Sequence, residues 1–167
     1  MSYSPEVQQY REDLAKSGIS ATDIKSYALD RSPNGQLDII RAAIQAVLLL
    51  NPDELDGFFG IKIVQRTQER PLKEDCIRYT FGELSLEHAR KNLKIVMAGA
   101  QIERTPNAYA VYIDQNKVLK HMGRVSNGGN IISKWGFNGH VYLHEPLYVP
   151  LSYGTDIVYF PPIPQVT

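Results

Sequence analysis

At 167 residues and 43% apolar content, the chain suffices for one ordinary domain with a real core, or a small domain with an appendage. Eighteen Lys and Arg balance eighteen Asp and Glu, which argues against a nucleic-acid-binding surface. The single cysteine excludes an internal disulfide framework and a cysteine-based zinc site.

In chain order, the first sixty residues read as helical. Ser4-Pro5-Glu6 is a start signal, Val7, Tyr10 and Leu14 follow helical spacing, and Gly18 stops the run. A short helix follows Ser20 or Thr22, and Ser32-Pro33-Asn34-Gly35 is a turn cluster. The strongest helix covers about Gln36 to Leu50, with Leu37, Ile40, Ile44, Val47 and Leu48 as one apolar stripe. Asn51-Pro52-Asp53-Glu54 restarts a short helix ending near Gly57 or Gly60. Ile61–Val64 is a brief β-like segment. A helix begins at or after Cys76, capped by Asp75 and ended by Gly82, and another follows Ser85 with Leu86, Ala89, Leu93, Val96 and Met97 on one side. After Gly99 strands are predicted at about Ala108–Ile113, Val118–Val125, Asn130–Lys134, Val141–Leu143 and Ile157–Phe160, with hairpin turns at Asp114-Gln115-Asn116 and Asn127-Gly128-Gly129. Helices first and an antiparallel meander last make an α+β pattern, with a boundary near residues 60–66. Residues 1–60 form a helical N-terminal region and residues 61–167 an α+β domain. The apolar stripe of the third helix requires the helical part to lean on the sheet.

The longest apolar stretch, Ala42–Leu50, falls short of the roughly 20 residues that span a bilayer. No basic flank and apolar run open the chain, so a soluble cytoplasmic protein is expected. A signal-independent export route would leave no mark.

The chemistry candidates begin with Cys76. A thiol in a first helical turn meets unpaired N–H groups and the positive end of the dipole, which favours the thiolate, whereas Glu74 and Asp75 oppose it. His121 follows on a strand, expected to share a face with Leu119 and Val125 and to point toward the cysteine helix. Asn130, Ser133 and Lys134 on the next strand are candidates for a third member; Asn130 or Ser133 can accept the histidine N–H, and Lys134 cannot. A lone cysteine is more commonly a small buried hydrophobe. His88 reads as a solvated surface residue. His140 and His144, four apart on a β-like segment, would need further ligands to hold a metal, and one of them is expected to hydrogen-bond near the end of the sheet. The tyrosines of the C-terminal half, with Trp135 and Phe137, can line a groove, although β-rich segments favour aromatics for packing alone.

Asp75-Cys76, His121, Ser133-Lys134-Trp135-Gly136, His144 and Tyr153-Gly154 follow an order that resembles the papain-like NlpC/P60 superfamily, in a branch of uncharacterised bacterial proteins, over about residues 66–160. The Ser-Lys-Trp-Gly and Tyr-Gly elements are its specific parts. The resemblance implies a helix plus antiparallel sheet and a cysteine-dependent amidase or peptidase acting on a peptide or amide. Cys76 would be nucleophile, His121 base and Ser133 the orienting group, with Trp135, His144 and Tyr153 at the substrate and no cofactor or metal. At the matching place the strand after the histidine offers Ser133 and Lys134, where that superfamily often has a histidine, asparagine or glutamine. The alternative is an inactive binding protein on the same fold. The first sixty residues have no counterpart in it, and would serve as a cap, a docking module or a surface for a protein partner.

Overall fold

The computed structural model describes residues 5, 9, 12, 13, 16–31, 37–66, 75–82, 85–136, 139–154 and 156–163. Val7, Tyr10 and Leu14 of the expected first helix, the turn at 32–35, Glu74 and Phe137 lie outside the described residues. Helices α1 (Ala21–Arg31) and α2 (Leu37–Leu50) come first, then 3-10 turns at Pro52–Leu55 and Phe58–Gly60. They are followed by β1 (Lys62–Gln65), α3 (Cys76–Phe81), α4 (Leu86–Met97), β2 (Tyr109–Ile113), β3 (Leu119–Val125), β4 (Ile131–Lys134) and β5 (Val141–His144). A 3-10 turn at Leu151–Tyr153 leads into β6 (Asp156–Phe160). The protein is mixed, helices plus an antiparallel sheet. Among the described residues, no helix is long and apolar enough to cross a membrane.

The sheet has six strands in the order β1-β5-β4-β3-β2-β6, with each adjacent pair antiparallel. Strands β2 to β5 form the expected meander. Strand β1 closes one side against β5, and β6 closes the other against β2. Asp114 makes the β2–β3 turn, accepting from the N–H groups of Asn116 and Val118 through its carboxylate.

Alternation along the strands divides the core. Ala108, Ala110 and Tyr112 join Val125, Ile131, Trp135 and Tyr142 in a cluster with Ala28 of α1 and Ile40, Ala43, Ile44 and Val47 of α2. Tyr109 and Val111 point the other way, with Met122 and Phe160, and meet Ile77 and Phe81 of α3 and Ala89 and Val96 of α4. The apolar stripe of α2 is therefore built into the larger core. Full burial of Ile40, Ile44 and Val47 contributes about 1.5–3 kcal/mol each.

Candidate active site

Cys76 opens α3. The Asp75 carboxylate accepts from the Arg78 N–H at 2.8 Å, and Gly82 at φ +67° ends the helix. This short helix lies against an edge of β3 that β4 leaves open: β4 pairs with β3 only at Arg124↔Ile132 and Val125↔Ile131. The backbone of Met122 is free to meet α3 there. Its N–H points to the Cys76 sulfur, and its carbonyl accepts from the Thr80 hydroxyl at 3.4 Å. Thr80 also bonds the Cys76 carbonyl at 2.7 Å.

The thiol differs from the expectation of a depressed pKa. Burial pushes Cys76 up to about 11, and the neighbouring Asp75 charge adds to it. The N–H groups of Met122, Cys76 and Ile77 pull the other way and do not win. A helix of six residues has little dipole to offer. The residue nonetheless keeps part of its surface open.

His121 is the residue before Met122. It does not point toward α3 as expected: it packs with Tyr112 and Tyr153 on the α2 side of the sheet, whereas α3 packs on the opposite face with Met122. A register shift between Tyr112 and Ile113 inserts Lys120, so Leu119 turns to the α3–α4 cluster while Val125 stays on the α2 side. The His121 ring lies with its cross-strand partner Tyr112, 5.3 Å between centroids, and stacks on Tyr153 at 4.1 Å and 17°. It is 1% exposed, and its Nε2 is buried without a hydrogen-bond partner. Burial, with His144 nearby, holds its pKa well below the ordinary value, so the ring is neutral. No hydrogen bond joins it to the Cys76 sulfur. Tyr153 stacks on His121, and burial pushes its phenol up, with a Cys76 thiolate adding to the push.

Ser133 has a different partner from the one expected. Its hydroxyl lies 2.8 Å from His144 Nε2, and it accepts from the Trp135 indole N–H at 3.0 Å. His144 Nδ1 is 2.7 Å from the Glu145 carbonyl, which only accepts, so Nδ1 carries the proton and Nε2 takes the Ser133 O–H. Ser133 thus orients His144, not His121. His144 and Trp135, 0% and 1% exposed, are core groups, whereas Tyr153 is partly exposed. Burial lowers His144 to about 4, against the Glu145 hydrogen bond. Lys134 donates to the carbonyls of Gly136 and Gly139. The Ser-Lys-Trp-Gly run is therefore an architectural device that ties β4 to β5 and to the loop between them. His140 is bound elsewhere, 2.5 Å from the Asp53 carboxylate.

Two further residues shape the site. A Cβ on Gly123 would sit 2.7 Å from an Ile131 methyl and 2.8 Å from Ser133 Cβ, so only glycine lets β4 lie this close beside His121. Arg41 of α2, 5% exposed, donates to the carbonyls of Val149, Pro150 and Gly154. It clamps the segment that carries Tyr153. The signal for Arg41 was present in the sequence: it lies four residues after Leu37 and three before Ile44, inside the apolar stripe.

No protein-family model matches the chain, and the comparisons with curated proteins and with solved structures find no significant match.

Proposed function

We propose that the protein is a thiol-dependent amide hydrolase, an amidase or peptidase with a papain-like order of helix-borne cysteine and strand-borne histidine. The observation that carries this reading is the state of His121. A buried ring nitrogen without a partner costs about 1–3 kcal/mol, and a histidine kept only for packing is normally bonded, as His144 is. His121 is instead neutral, unpartnered and adjacent in sequence to the residue whose N–H meets the Cys76 sulfur.

In this reading Cys76 attacks the carbonyl carbon of an amide while its S–H proton passes to the neutral His121 ring, directly or through one water. The tetrahedral oxyanion faces the Cys76 backbone N–H. His121 returns the proton to the departing amine as the C–N bond breaks, leaving a thioester. Water then attacks, giving a proton to His121, and as the carbon–sulfur bond breaks His121 passes that proton to the sulfur, which restores the thiol and the neutral ring. A thiol raised to about 11 is consistent with attack coupled to proton transfer, with no standing thiolate–imidazolium pair. Tyr153 screens His121 from water until substrate enters. Ser133 has no place in this scheme.

The second reading, a binding protein on the same fold without turnover, is favoured by the same raised thiol and by the missing sulfur–imidazole hydrogen bond. p-Nitrophenyl acetate separates the two. The enzyme reading expects a stoichiometric nitrophenolate burst with the acetyl group on Cys76 by mass spectrometry. Cys76→Ala abolishes it, and His121→Ala slows it by about a hundredfold. No burst, or acylation of Cys76 at the same rate without His121, leaves the binding reading.

A further inference from the structure

A second site lies at the other end of α3. A cavity of about 630 Å³ opens between the end of that helix and the β3–β4 turn, lined among others by Tyr79, Asn107, Arg124, Ser126, Asn127 and Gly128. Neither Cys76 nor His121 lines it. Arg124 supplies its charge. One guanidinium nitrogen, Nη2, donates to the Thr80 carbonyl at 3.1 Å, and the group lies 5.4 Å from the Tyr109 ring centre, so its position is held from two sides. Its Nε is buried without a hydrogen-bond partner, and among the described residues no carboxylate pairs with it. Arg124 is half-buried, so this held cation meets the cavity with guanidinium donors that neither the Thr80 carbonyl nor any carboxylate among the described residues takes.

The rest of the lining fits an anion too. Ser126 N–H to the Asn130 carbonyl and Gly129 N–H to the Ser126 carbonyl close the turn, while no backbone acceptor among the described residues takes the N–H groups of Asn127 and Gly128. Asn107, at φ +71°, is tied by its N–H to the Val125 carbonyl at 2.9 Å, which sets its amide beside the cavity. Among the described lining residues there is no carboxylate and no second Lys or Arg. One cation among neutral donors matches one negative charge. A phosphate dianion would leave charge uncompensated in a partly enclosed space, whereas a carboxylate suits a single guanidinium.

We infer that this cavity binds a small monoanionic ligand through its carboxylate, with Arg124 as the charge partner and the 126–128 turn as the neutral wall. The site does not rest on the thiol chemistry of Cys76.

The test is titration of the ¹⁵N-labelled full chain, followed by amide cross-peaks, with N-acetylglycine, its neutral amide and inorganic phosphate. N-acetylglycine is expected to shift Thr80, Asn107, Ser126, Asn127 and Gly128 saturably, the neutral amide to leave them unmoved, and phosphate to bind at least about tenfold more weakly. Arg124→Gln raises the Kd for N-acetylglycine by about tenfold or more, and Cys76→Ala leaves it unchanged. The inference is overturned if N-acetylglycine gives no saturable shift, if the amide shifts the same peaks equally, if phosphate binds more tightly, or if folded Arg124→Gln binds as before. Should Arg124→Gln fail to fold, the acid-against-amide comparison on the unaltered protein decides.

Discussion

His121 and His144 are both essentially buried and each lowers its pKa through burial, but they are held in opposite ways. His144 has both nitrogens engaged, in a chain running from the Trp135 indole through Ser133 to the ring and on to the Glu145 carbonyl. That chain links β4 to β5 where Ile131 pairs with His144, so its value is architectural. His121 has aromatic rings on it, a buried nitrogen without a partner, and Cys76 beyond the next residue's N–H. A satisfied buried group is accounted for by the fold; an unsatisfied one asks for an explanation, which the proposed function supplies as proton transfer.

The largest expected effect sets the two histidines against each other directly. His144→Ala strands the Ser133 hydroxyl and the Glu145 carbonyl and leaves a ring-sized void, for a loss of about 4 kcal/mol in urea unfolding. His121→Ala loses packing alone, about 2 kcal/mol, while slowing the nitrophenyl ester burst about a hundredfold. Equal losses would erase the distinction. Next is the clamp above His121. Arg41→Met leaves three carbonyls without their donor, at a cost of about 3 kcal/mol by the same measurement, and it frees Tyr153, so alkylation of Cys76 accelerates. Unchanged alkylation in a folded Arg41→Met protein would show that the clamp does not govern the site.

The acid limb follows from His144. Its folded pKa of about 4 lies below the ordinary 6.5, so the fold excludes the proton. The associated stability is fully present above 6.5 and is lost as pH falls from 6.5 through 4, about 3 kcal/mol in all. His121 acts with the same sign. Denaturant midpoints measured from pH 7 to 4 check this, and His144→Gln flattens the slope. The smallest effect concerns Cys76. A thiol at about 11, against an ordinary 9.0, holds about a hundredfold less thiolate at pH 8, so iodoacetamide alkylation is slow and climbs about tenfold per unit toward pH 11. Its contribution to stability is present below 9 and lost as pH rises toward 11. A plateau at or below pH 9 would show that burial does not govern the thiol.

Much of the scaffold was legible because it depends on near neighbours in the chain. Asp75 caps α3 and Gly82 ends it, Asp114 folds back on its own turn, and the spacing from Leu37 to Val47 announces α2. The site was less legible. Ser133 was assigned to His121 by strand adjacency, yet Trp135 and His144, two residues on and one strand over, claim its hydroxyl. The face of Leu119 was misread because alternation fails at an inserted residue that leaves no composition signal. The thiol was expected to be acidic from its helix position, and burial among strand atoms reversed the direction.

The sequence alone decided where elements start and stop, which side of α2 is apolar, and that helices precede an antiparallel meander, since caps, turns and periodicity act over a few bonds. Only the tertiary structure decided that β1 lies beside β5 and β6 beside β2, that Met122 offers its N–H to Cys76, that Arg41 reaches Gly154, and that one buried histidine is bonded while its neighbour is not. These depend on groups far apart in the chain, and hydrogen-bond satisfaction and desolvation are properties of the packed interior that no local pattern encodes.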